Sequence, residues 1–592
     1  MTAMNLNFNR FLRRIFYLTF LSSSTLCIAH TNTPDWVKNA VFYDIYPSSF
    51  MDSDGNGIGD IEGIISRLDY VKSLGVDAIW MNPIFESGWF DGGYDIIDFY
   101  KVDPRFGKNE DVRRLVDEAH KRGLKVCLDL VPGHSSNKCE WFRKSATEGP
   151  DGQYADYYIW TDSISAKDLA NIEKRHKEKE PISSKTGAWV GVADPYIGDA
   201  CIPDANRGTY YLKNYYVCQP ALNYGYANPD PSKPWQQPVT APGPQAMRRE
   251  LKNIMSFWYD KGIDGFRVDM AQSLVKNDKD KKETMKLWKE MRDWQDTNYP
   301  GKVLISEWGS PDQSVPAGFD IDFYIPWLRK VYADMIWETG KSKVVGPGAY
   351  FEKSGKGKIR NFVEKFYSDL ETTRPYGFIA VPSSNHDYPR VNAGTRNTPA
   401  EVRVFMTFIL TMPGVPFIHY GDELGMRNVD NLPSVEGSRA ERSGTRTPMQ
   451  WRNEPSAGFS SAAPEKLYLP VYLDGGKLTV EEQEKDPRSV LNFNRNLIRL
   501  RHEHPALGNA GDWKVVTPLD IPYPMVYTRS DGKNTYIVAF NPASKAAKTE
   551  FTLPGASRLI ELSAVGKTKT RVKNGKISID MEGVSSRIFK VE

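Results

Sequence analysis

The chain has 592 residues, of which 40% are hydrophobic and 26% are charged, and these proportions favour a globular protein of two or three domains over a disordered or fibrous chain. The 77 basic and 74 acidic residues give a formal net charge of +3. Three arginines in the first 29 residues account for that excess, because this stretch has no acidic residue and 74 basic residues follow it. A neutral remainder gives no electrostatic case for binding nucleic acid or an anionic membrane surface.

The first 29 residues have the pattern of an export signal. A basic stretch at 10–14 precedes an apolar run at 15–21, and the small residues that follow end at Ala29. The apolar run is too short for a permanent membrane span. We therefore predict cleavage after Ala29 and a periplasmic or extracellular protein. Two alternatives stay open, an uncleaved membrane anchor and lipid attachment at Cys27, although Leu26 is a poor fit to the small residue expected there.

A loop rich in aspartate and glycine, 52–60, follows the first predicted strand at 40–47. Oxygen-bearing side chains at alternate positions, with glycines that allow tight turns, suit a hard cation such as calcium. The loop is not an EF-hand, because Gly63 stands where that motif has its bidentate glutamate. We predict a structural Ca²⁺ site and no organic cofactor, and the alternative is a solvated Asp/Gly turn. The predicted ligands are Asp52, Asp54, Asn56, Ile58 and Asp60.

Strand-like and helix-like segments alternate over most of the chain, as parallel β/α units require. The section 135–245 breaks this rhythm with many Gly, Pro, Tyr and charged residues, and we predict an inserted subdomain there. From 511 to 592, short alternating segments predict an antiparallel β-sandwich. The fold class is thus α/β, a (β/α)8 TIM barrel formed by 30–134 and 246–510. The predicted barrel strands are 40–47, 76–83, 125–131, 262–269, 302–308, 318–323, 378–387 and 415–421.

Acidic residues stand at the ends of several predicted strands, where TIM barrels gather their catalytic groups. Arg267 lies two residues before Asp269, so both side chains leave the strand on the same face, and the arginine favours the ionised carboxylate. Two such acids can cleave a glycoside, one as nucleophile and one as acid and base, when they lie about 5 Å apart. The alternative for this pair is a buried structural ion pair. The acids at strand ends are Asp129, Asp269, Glu307 and Asp387.

Two further stretches carry predictions of their own. A glycine-rich loop at 89–95 brings Asp91 close to Tyr94, which suits a sugar because the ring covers its apolar face and the carboxylate accepts hydroxyl hydrogen bonds. Outside the cytoplasm, Cys201 and Cys218 are the best candidates for a disulfide bridge.

Four ordered motifs resemble those of the alpha-amylase family of retaining glycoside hydrolases. They are 129–134, 265–269, 305–308 and 385–387, and the resemblance extends over about residues 36–590. Within the family, Trp189 and the segments 219–223 and 446–451 look most like oligo-1,6-glucosidases, alpha-glucosidases and their sucrose- or trehalose-handling relatives.

The resemblance implies a role for each motif residue. Asp269 is the implied nucleophile, Glu307 the acid and base, and Asp387 the carboxylate that grips two hydroxyls of the sugar being cleaved. Asp91 and Arg446 match positions that hold the non-reducing terminal glucose, which implies exo action on short chains. The implied substrate-binding residues are Asp91, Tyr94, His134, Arg267, His386 and Arg446.

Two positions depart from the family pattern. Gly133 replaces an asparagine that helps to bind calcium in amylases, so the 52–60 loop is the better metal candidate. Met270 follows the nucleophile where related glucosidases have a smaller residue or valine, which leaves linkage preference open. We predict a secreted retaining hydrolase of α-glucosidic bonds in malto-oligosaccharides or related α-glucans. The alternatives are a transglycosylase or isomerase, such as a trehalose synthase or sucrose-active relative, and a non-catalytic binding or transporter subunit; oligomeric state stays open.

Overall fold

The computed structural model describes residues 33–177, 187–195, 202, 204–341, 343–436 and 440–592. The export signal, Cys27 and Cys201 lie outside these residues. Export and the bridge from Cys201 to Cys218 therefore stay predictions, which the mass of the mature chain and its count of reactive thiols test. Cys218 itself is buried. Among the described helices, none combines the length and apolar character that a membrane crossing needs.

Eight parallel strands close into a barrel, as predicted. Neighbouring strands follow chain order, and the first strand pairs with both the second and the last, so that Phe42 lies opposite Ala78 on one side and Phe417 on the other. All residues of the first, second, fourth and fifth strands are buried, as expected of parallel strands covered on both faces. The barrel strands are Phe42–Ile45, Ala78–Met81, Lys125–Leu130, Gly265–Val268, Val303–Ser306, Ile321–Phe323, Phe378–Pro382 and Val415–His419.

Helices connect the strands and cover the outside of the barrel. A capping box starts the helix Pro399–Thr411. The Thr398 side chain accepts from the Glu401 N–H, and the Glu401 carboxylate accepts from the Thr398 N–H in return. The α-helices are Ile61–Ser66, Leu68–Ser73, Asn109–Lys121, Glu140–Thr147, Ala166–Lys177, Pro242–Tyr259, Lys282–Asn298, Pro311–Ser314, Lys330–Ile336, Arg360–Thr373, Pro399–Thr411, Ala440–Ser443, Val480–Lys485 and Val490–Glu503.

Large apolar side chains fill the inside of the barrel. Phe42 and Phe417 stack with ring centroids 4.5 Å apart. Trp80 and Phe323 pack beside this pair, and their own ring centroids are 5.4 Å apart. These side chains belong to one buried cluster with residues from seven of the eight barrel strands. Because the interior is solid, a ligand can reach polar side chains of the barrel strands only at the rim.

An irregular segment follows the third barrel strand and ends at the helix Pro242–Tyr259. Within it, three short strands form an antiparallel sheet, Trp160–Thr161, Trp189–Gly191 and Tyr210–Leu212. A separate hairpin, Phe85–Ser87 with Ile96–Val102, follows the second barrel strand. The inserted segment leans over the carboxyl ends of the strands, where its Ala221 forms a backbone bridge with His134.

The C-terminal region is a sandwich of two antiparallel sheets, which confirms the predicted β-sandwich. A buried cluster that includes Val526, Ile537, Ile579 and Phe589 lies between the sheets. Arg529 ties the sandwich to the barrel by donating to the carbonyl oxygens of residues 507, 508, 511 and, on the helix Pro399–Thr411, Thr411. The strands are Asp512–Val515, Met525–Ser530, Thr535–Asn541, Leu559–Val565 and Ser585–Val591 in one sheet, and Ala547–Thr552, Thr568–Lys573 and Lys576–Met581 in the other.

Candidate active site

Arg267 joins three carboxyl groups at the ends of the third, fourth and fifth barrel strands. Its Nη1 lies 2.9 Å from Oδ1 of Asp129 and 3.1 Å from Oδ1 of Asp269, while its Nη2 lies 2.8 Å from Oε2 of Glu307. The guanidinium is 2% exposed, so these contacts are charge-assisted hydrogen bonds in a dry site. Asp269 and Glu307 therefore lie close to each other, since both contact the same guanidinium group, and a retaining glycosidase needs its two carboxyl groups at short spacing.

Burial sets the protonation of these carboxyl groups. It raises the pKa of Glu307 to about 8, although Arg267 opposes the shift. It also raises the pKa of Asp269 and of Asp129 to about 7, again against Arg267. Burial thus favours the protonated form of Glu307, the state in which a carboxyl group can act as the acid of a glycoside cleavage.

The backbone directly after Asp269 helps to orient Glu307. Met270 has φ 42° and ψ 41°, a left-handed conformation that is strained for a residue with a long side chain. In this conformation the Met270 N–H donates to Oε2 of Glu307 at 3.0 Å. Because Oε2 accepts from both Met270 and Arg267, the other oxygen, Oε1, is the one free to carry a proton.

A hydrogen-bonded chain lies behind the carboxyl groups. Asn82 Nδ2 lies 2.8 Å from Nδ1 of His386, so the hydrogen-bond pattern assigns the ring proton to Nε2. His386 Nε2 then donates to the Tyr94 hydroxyl at 2.9 Å, and Tyr94 donates to Oδ2 of Asp129 at 3.0 Å. Burial lowers the pKa of His386 well below its ordinary value, so the ring is neutral. This chain fixes the position of Tyr94.

Asp91 and Asp387 are joined by one arginine that sequence analysis did not single out. Arg442 Nη1 lies 3.2 Å from Oδ1 of Asp91, and its Nε lies 3.1 Å from Oδ1 of Asp387. Burial acts to raise the pKa of Asp387, but Arg442 and other cations hold it well below its usual range. Burial raises the pKa of Asp91 to about 6 despite Arg442. The pair forms a polar end wall that can accept sugar hydroxyls.

A cavity of about 330 Å³ lies between these groups. Six of the predicted site residues line it, namely Asp91, Tyr94, His134, Asp269, Glu307 and Asp387. Three others, Arg267, His386 and Arg446, support the lining from behind. The remaining lining residues are Tyr215, Met270, Gln272, Trp327, Leu328, Lys343 and Arg442.

The motifs imply that Arg446 and His134 bind the sugar, but in the structure the polar atoms of both side chains contact protein groups. Arg446 donates through Nε to the His386 carbonyl oxygen at 2.8 Å, and its Nη2 lies 3.5 Å from Oδ1 of Asp387. It thus backs Asp387, while Arg442 contacts Asp91. His134 lines the cavity, but its Nε2 donates to the Tyr94 carbonyl oxygen and its Nδ1 accepts from Asn214. Burial lowers the pKa of His134 to about 3, so it presents a neutral ring.

The aspartate-rich loop lies apart from this cavity. One carboxylate oxygen each from Asp52, Asp54 and Asp60 lie within 4.8 Å of one another. Several of their oxygens also accept backbone N–H groups, as when Asp60 caps the helix Ile61–Ser66 through Gly63. Asn56 bonds to Asp54 at 3.1 Å. Three hard oxygen donors at this spacing fit the ligand set of Ca²⁺.

Comparisons with known proteins agree with this geometry. The family description "Alpha amylase, catalytic domain" matches residues 44–510. The chain belongs to the alpha-amylase family. It is 31% identical over 530 residues to the trehalose synthase/amylase TreS of Mycolicibacterium smegmatis, covering 84% of this chain and 82% of that protein. It is 30% identical over 558 residues to an oligo-1,6-glucosidase of Parageobacillus thermoglucosidasius, covering 86% and 91%.

A solved structure of the family shares the whole architecture. The trehalulose synthase MutB from Pseudomonas mesoacidophila MX-45 superposes with a TM-score of 0.73 at 27% identity, covering 94% of this chain and 99% of that one. Like these relatives, this alpha-amylase family protein is an enzyme of the glycoside hydrolase type, and its substrate is carbohydrate. The non-catalytic alternative gains no support.

The sequence of this alpha-amylase family protein did not point to five polar or aromatic residues that line the catalytic cavity. Trp327 and Lys343 come from loops after the sixth strand, where Lys343 Nζ donates to the Asp387 carbonyl oxygen at 2.8 Å. Arg442 stands four residues before Arg446 in a polar stretch that looks like ordinary surface. Tyr215 carries no local signal. Gln272 could have been suspected only from its position three residues after Asp269.

Proposed function

We propose that this protein is a retaining, exo-acting α-glucosidase that cleaves short α-glucans. One observation carries the proposal, namely that Asp269 and Glu307 are hydrogen-bonded to the two terminal nitrogens of a single buried guanidinium. This arrangement gives the nucleophile and the acid the short separation that a double displacement requires. The oligo-1,6-glucosidase and alpha-glucosidase relatives support the same conclusion.

In the first step, an ionised oxygen of Asp269 attacks the anomeric carbon of the bound glucosyl unit. A bond forms between that oxygen and the carbon, and the bond to the glycosidic oxygen breaks. Glu307, protonated because burial raises its pKa to about 8, gives its proton to the departing oxygen. The products of this step are a glucosyl ester on Asp269 and the shortened sugar.

In the second step, Glu307 is a carboxylate and acts as a base. It takes a proton from a water molecule, whose oxygen attacks the anomeric carbon and displaces Asp269. Both groups return to their starting states. Two displacements at the same carbon retain its configuration, so the released glucose is the α-anomer.

The end wall supports exo action on a terminal glucose. Asp91 and Asp387 are tied together by Arg442, and the cavity has a volume of about 330 Å³. Ionised Asp387 can accept two hydroxyl hydrogen bonds, because its pKa is held well below the usual range. The salt bridge between Arg442 and Asp91 stands where a longer chain would have to continue.

Product analysis tests this proposal. The purified enzyme is incubated with maltose, isomaltose, sucrose and starch, and products are followed by NMR from the first turnovers. We expect release of α-glucose from maltose, with starch a poor substrate because few of its residues are chain ends. Release of β-glucose first, or internal cleavage of starch into long fragments, would contradict the retaining, exo-acting assignment.

A second candidate function is isomerisation or transglycosylation by the same intermediate. The TreS and trehalulose synthase relatives favour it, since their names denote sugar synthesis. A sugar hydroxyl would then replace water in the second step, losing its proton to Glu307 and forming a new glycosidic bond. The maltose incubation separates the two functions, because trehalose or another disaccharide would accumulate instead of glucose.

We also propose that the loop from Asp52 to Asp60 holds a structural Ca²⁺ ion. The ion would draw on the carboxylates of Asp52, Asp54 and Asp60, with Asn56 and Ile58 completing the predicted set. The loop packs on the segment 459–468, where Asp52 N–H donates to the Phe459 carbonyl oxygen at 2.9 Å. Bound calcium would therefore stabilise the fold without taking part in the chemistry.

Chelation should lower thermal stability. An ion that binds only the folded state at a hundredfold excess over Kd contributes about 2.7 kcal/mol, so EDTA should lower Tm by a few degrees in differential scanning calorimetry. Asp54→Ala should abolish this dependence, because it removes one of the three carboxylates of the site. Asp54 is the exposed one of the three, so its loss should disturb the fold least. The exposed Asp580→Ala serves as the matched control. A Tm that is the same with EDTA and with calcium would refute the site.

A further inference from the structure

A buried aspartate, Asp322, lies on the barrel strand next to the one that leads to Glu307. It is the middle residue of the sixth strand, and it lies opposite Ser306 in the parallel register of the fifth and sixth strands. Its neighbours Ile321 and Phe323 belong to the apolar interior of the barrel, so the Asp322 side chain leaves the strand on the outer face. It is fully buried and is not among the residues that line the catalytic cavity. Asp322 therefore acts on protein groups and not on a substrate.

One oxygen of this carboxyl group holds the chain on both sides of Glu307. Oδ1 of Asp322 accepts from the Ser306 hydroxyl at 2.6 Å, from the Trp308 N–H at 3.0 Å and from the Gly309 N–H at 3.3 Å. Ser306 stands directly before Glu307, and the other two donors directly follow it. Every residue of the segment 306–309 except Glu307 itself thus donates to the same oxygen.

These three bonds hold the chain where the regular pairing of the strands ends. The ladder between the fifth and sixth strands stops at the pair Ser306 and Asp322. The chain then turns at Gly309, whose φ of 68° is left-handed and where a Cβ would lie 2.6 Å from that of Leu328. The N–H groups of Trp308 and Gly309 lie beyond the end of the ladder, and the Asp322 carboxylate accepts from both in place of a strand carbonyl.

The groups that contact Glu307 directly lie on the fourth strand or just after it. Its N–H donates to the Val268 carbonyl oxygen at 3.0 Å, and its carbonyl oxygen accepts from the Ala271 N–H at 3.2 Å. Its carboxyl group contacts Arg267 and the Met270 N–H. Glu307 is thus tied to the fourth strand by its own polar groups, while the buried carboxyl group on the sixth strand holds the residues around it from the opposite side.

A carboxyl group at this position of the barrel wall costs stability. Burial raises the pKa of Asp322 to about 7, although the hydrogen bonds from Ser306 and Trp308 favour its ionised form. The groups that oppose this rise most are hydrogen-bond donors and not cations, so no ion pair offsets the loss of water. An apolar residue, as at the two neighbouring positions of the strand, would pack here without that cost. What the carboxyl group contributes is the set of three bonds to the segment 306–309.

We propose that Asp322 is a positioning residue for the acid of the reaction, and that it fixes the segment 306–309 so that Glu307 presents its carboxyl group to the glycosidic oxygen. The inference rests on the proposed function, since it takes Glu307 as the proton donor. Because Oε2 of Glu307 is held by Arg267 and Met270, a shift of the backbone would break these bonds or turn Oε1 away from the substrate. A displacement of about 1 Å at a catalytic group can lower the rate about a hundredfold.

Asp322→Leu tests the proposal, because leucine has nearly the size and branching of aspartate but accepts no hydrogen bond. For the variant and the wild type, kcat/KM is measured for the consumption of maltose and for α-glucosyl fluoride, whose leaving group needs little help from an acid. We expect the ratio of maltose to fluoride to fall about 30- to 100-fold in the variant. A merely structural role would lower both values together, and an unchanged ratio would overturn the proposal.

Asp322→Asn is the matched rescue variant. Its amide oxygen can accept the same bonds, so the ratio should stay within about threefold of the wild type. A loss as large as that in Asp322→Leu would show that the acceptor oxygen is not what matters, and would contradict the proposal. Asp320→Asn controls for stability, because Asp320 accepts from the Leu304 N–H at 2.9 Å at the other end of the same two strands. It should lower Tm and leave the ratio unchanged.

Ser306→Ala keeps the proposal testable if Asp322→Leu does not fold. It removes one of the three bonds to Asp322, and the ratio of maltose to fluoride should fall about three- to tenfold. An unchanged ratio in Ser306→Ala would refute the positioning role. If the wild type consumes neither maltose nor the fluoride, the proposed function fails. If the wild type consumes both but the ratio does not depend on Asp322, the positioning inference alone fails.

Discussion

Asp269→Asn should lower kcat/KM for α-glucosyl fluoride by at least about 10⁴-fold, since the variant keeps the shape of the side chain but has no charge to attack the anomeric carbon. Fluoride leaves without help from an acid, so the measurement isolates the nucleophile. Arg267 keeps Asp129 and Glu307 as partners in this variant, and the fold should therefore survive. Fluoride release is followed with an ion-selective electrode, and Tm is measured alongside.

Asp293→Asn is the matched control for this variant. Asp293 is exposed on the helix Lys282–Asn298 and pairs only with Lys289 among the described ion pairs, so its loss should leave turnover unchanged. Azide provides a second readout. In Asp269→Ala it can enter the vacated space and yield β-glucosyl azide, the inverted product. Turnover of Asp269→Asn within tenfold of the wild type would remove Asp269 from the mechanism.

Glu307→Gln should lower kcat/KM for maltose by about 10³- to 10⁴-fold, because the departing oxygen then lacks a proton donor. The loss should be much smaller for formation of the glucosyl ester from α-glucosyl fluoride. The ester should then accumulate, since no base activates water, and added azide should release it as α-glucosyl azide. Equal losses with maltose and with the fluoride in the first step would show that Glu307 is not the acid.

The same two carboxyl groups set the pH dependence. In the wild type, kcat/KM for maltose should rise with pH as Asp269 ionises through its raised pKa of about 7. It should fall as Glu307 loses its proton through about 8, which gives a bell with its maximum between these values. The alkaline limb should be absent in Glu307→Gln, measured on ester formation from α-glucosyl fluoride. If the alkaline limb of the pH profile persists in Glu307→Gln, Glu307 is not the residue whose deprotonation causes it.

The barrel and the position of its acids could be predicted because their signals are local. Strands such as Phe378–Pro382 are buried on both faces and appear as short apolar runs, and Asp387 follows shortly after this one. The segment Ala166–Lys177 is harder to predict, because its many charged residues suit either a helix or a solvated stretch. The structure shows a helix, Ala166–Lys177, whose buried Arg175 pairs with Asp194. No sequence pattern near Arg175 indicates that its partner is Asp194, 19 residues further along the chain.

The sequence by itself determined the barrel, the sandwich and the four strand-end acids, because strand period and strand direction are properties of a few consecutive residues. Only the tertiary structure decided which charges meet. Arg442 reaches Asp91 from 351 residues along the chain, a contact that depends on how two loops fold over the rim. The raised pKa of Glu307 has the same origin, since burial arises only where distant segments pack together.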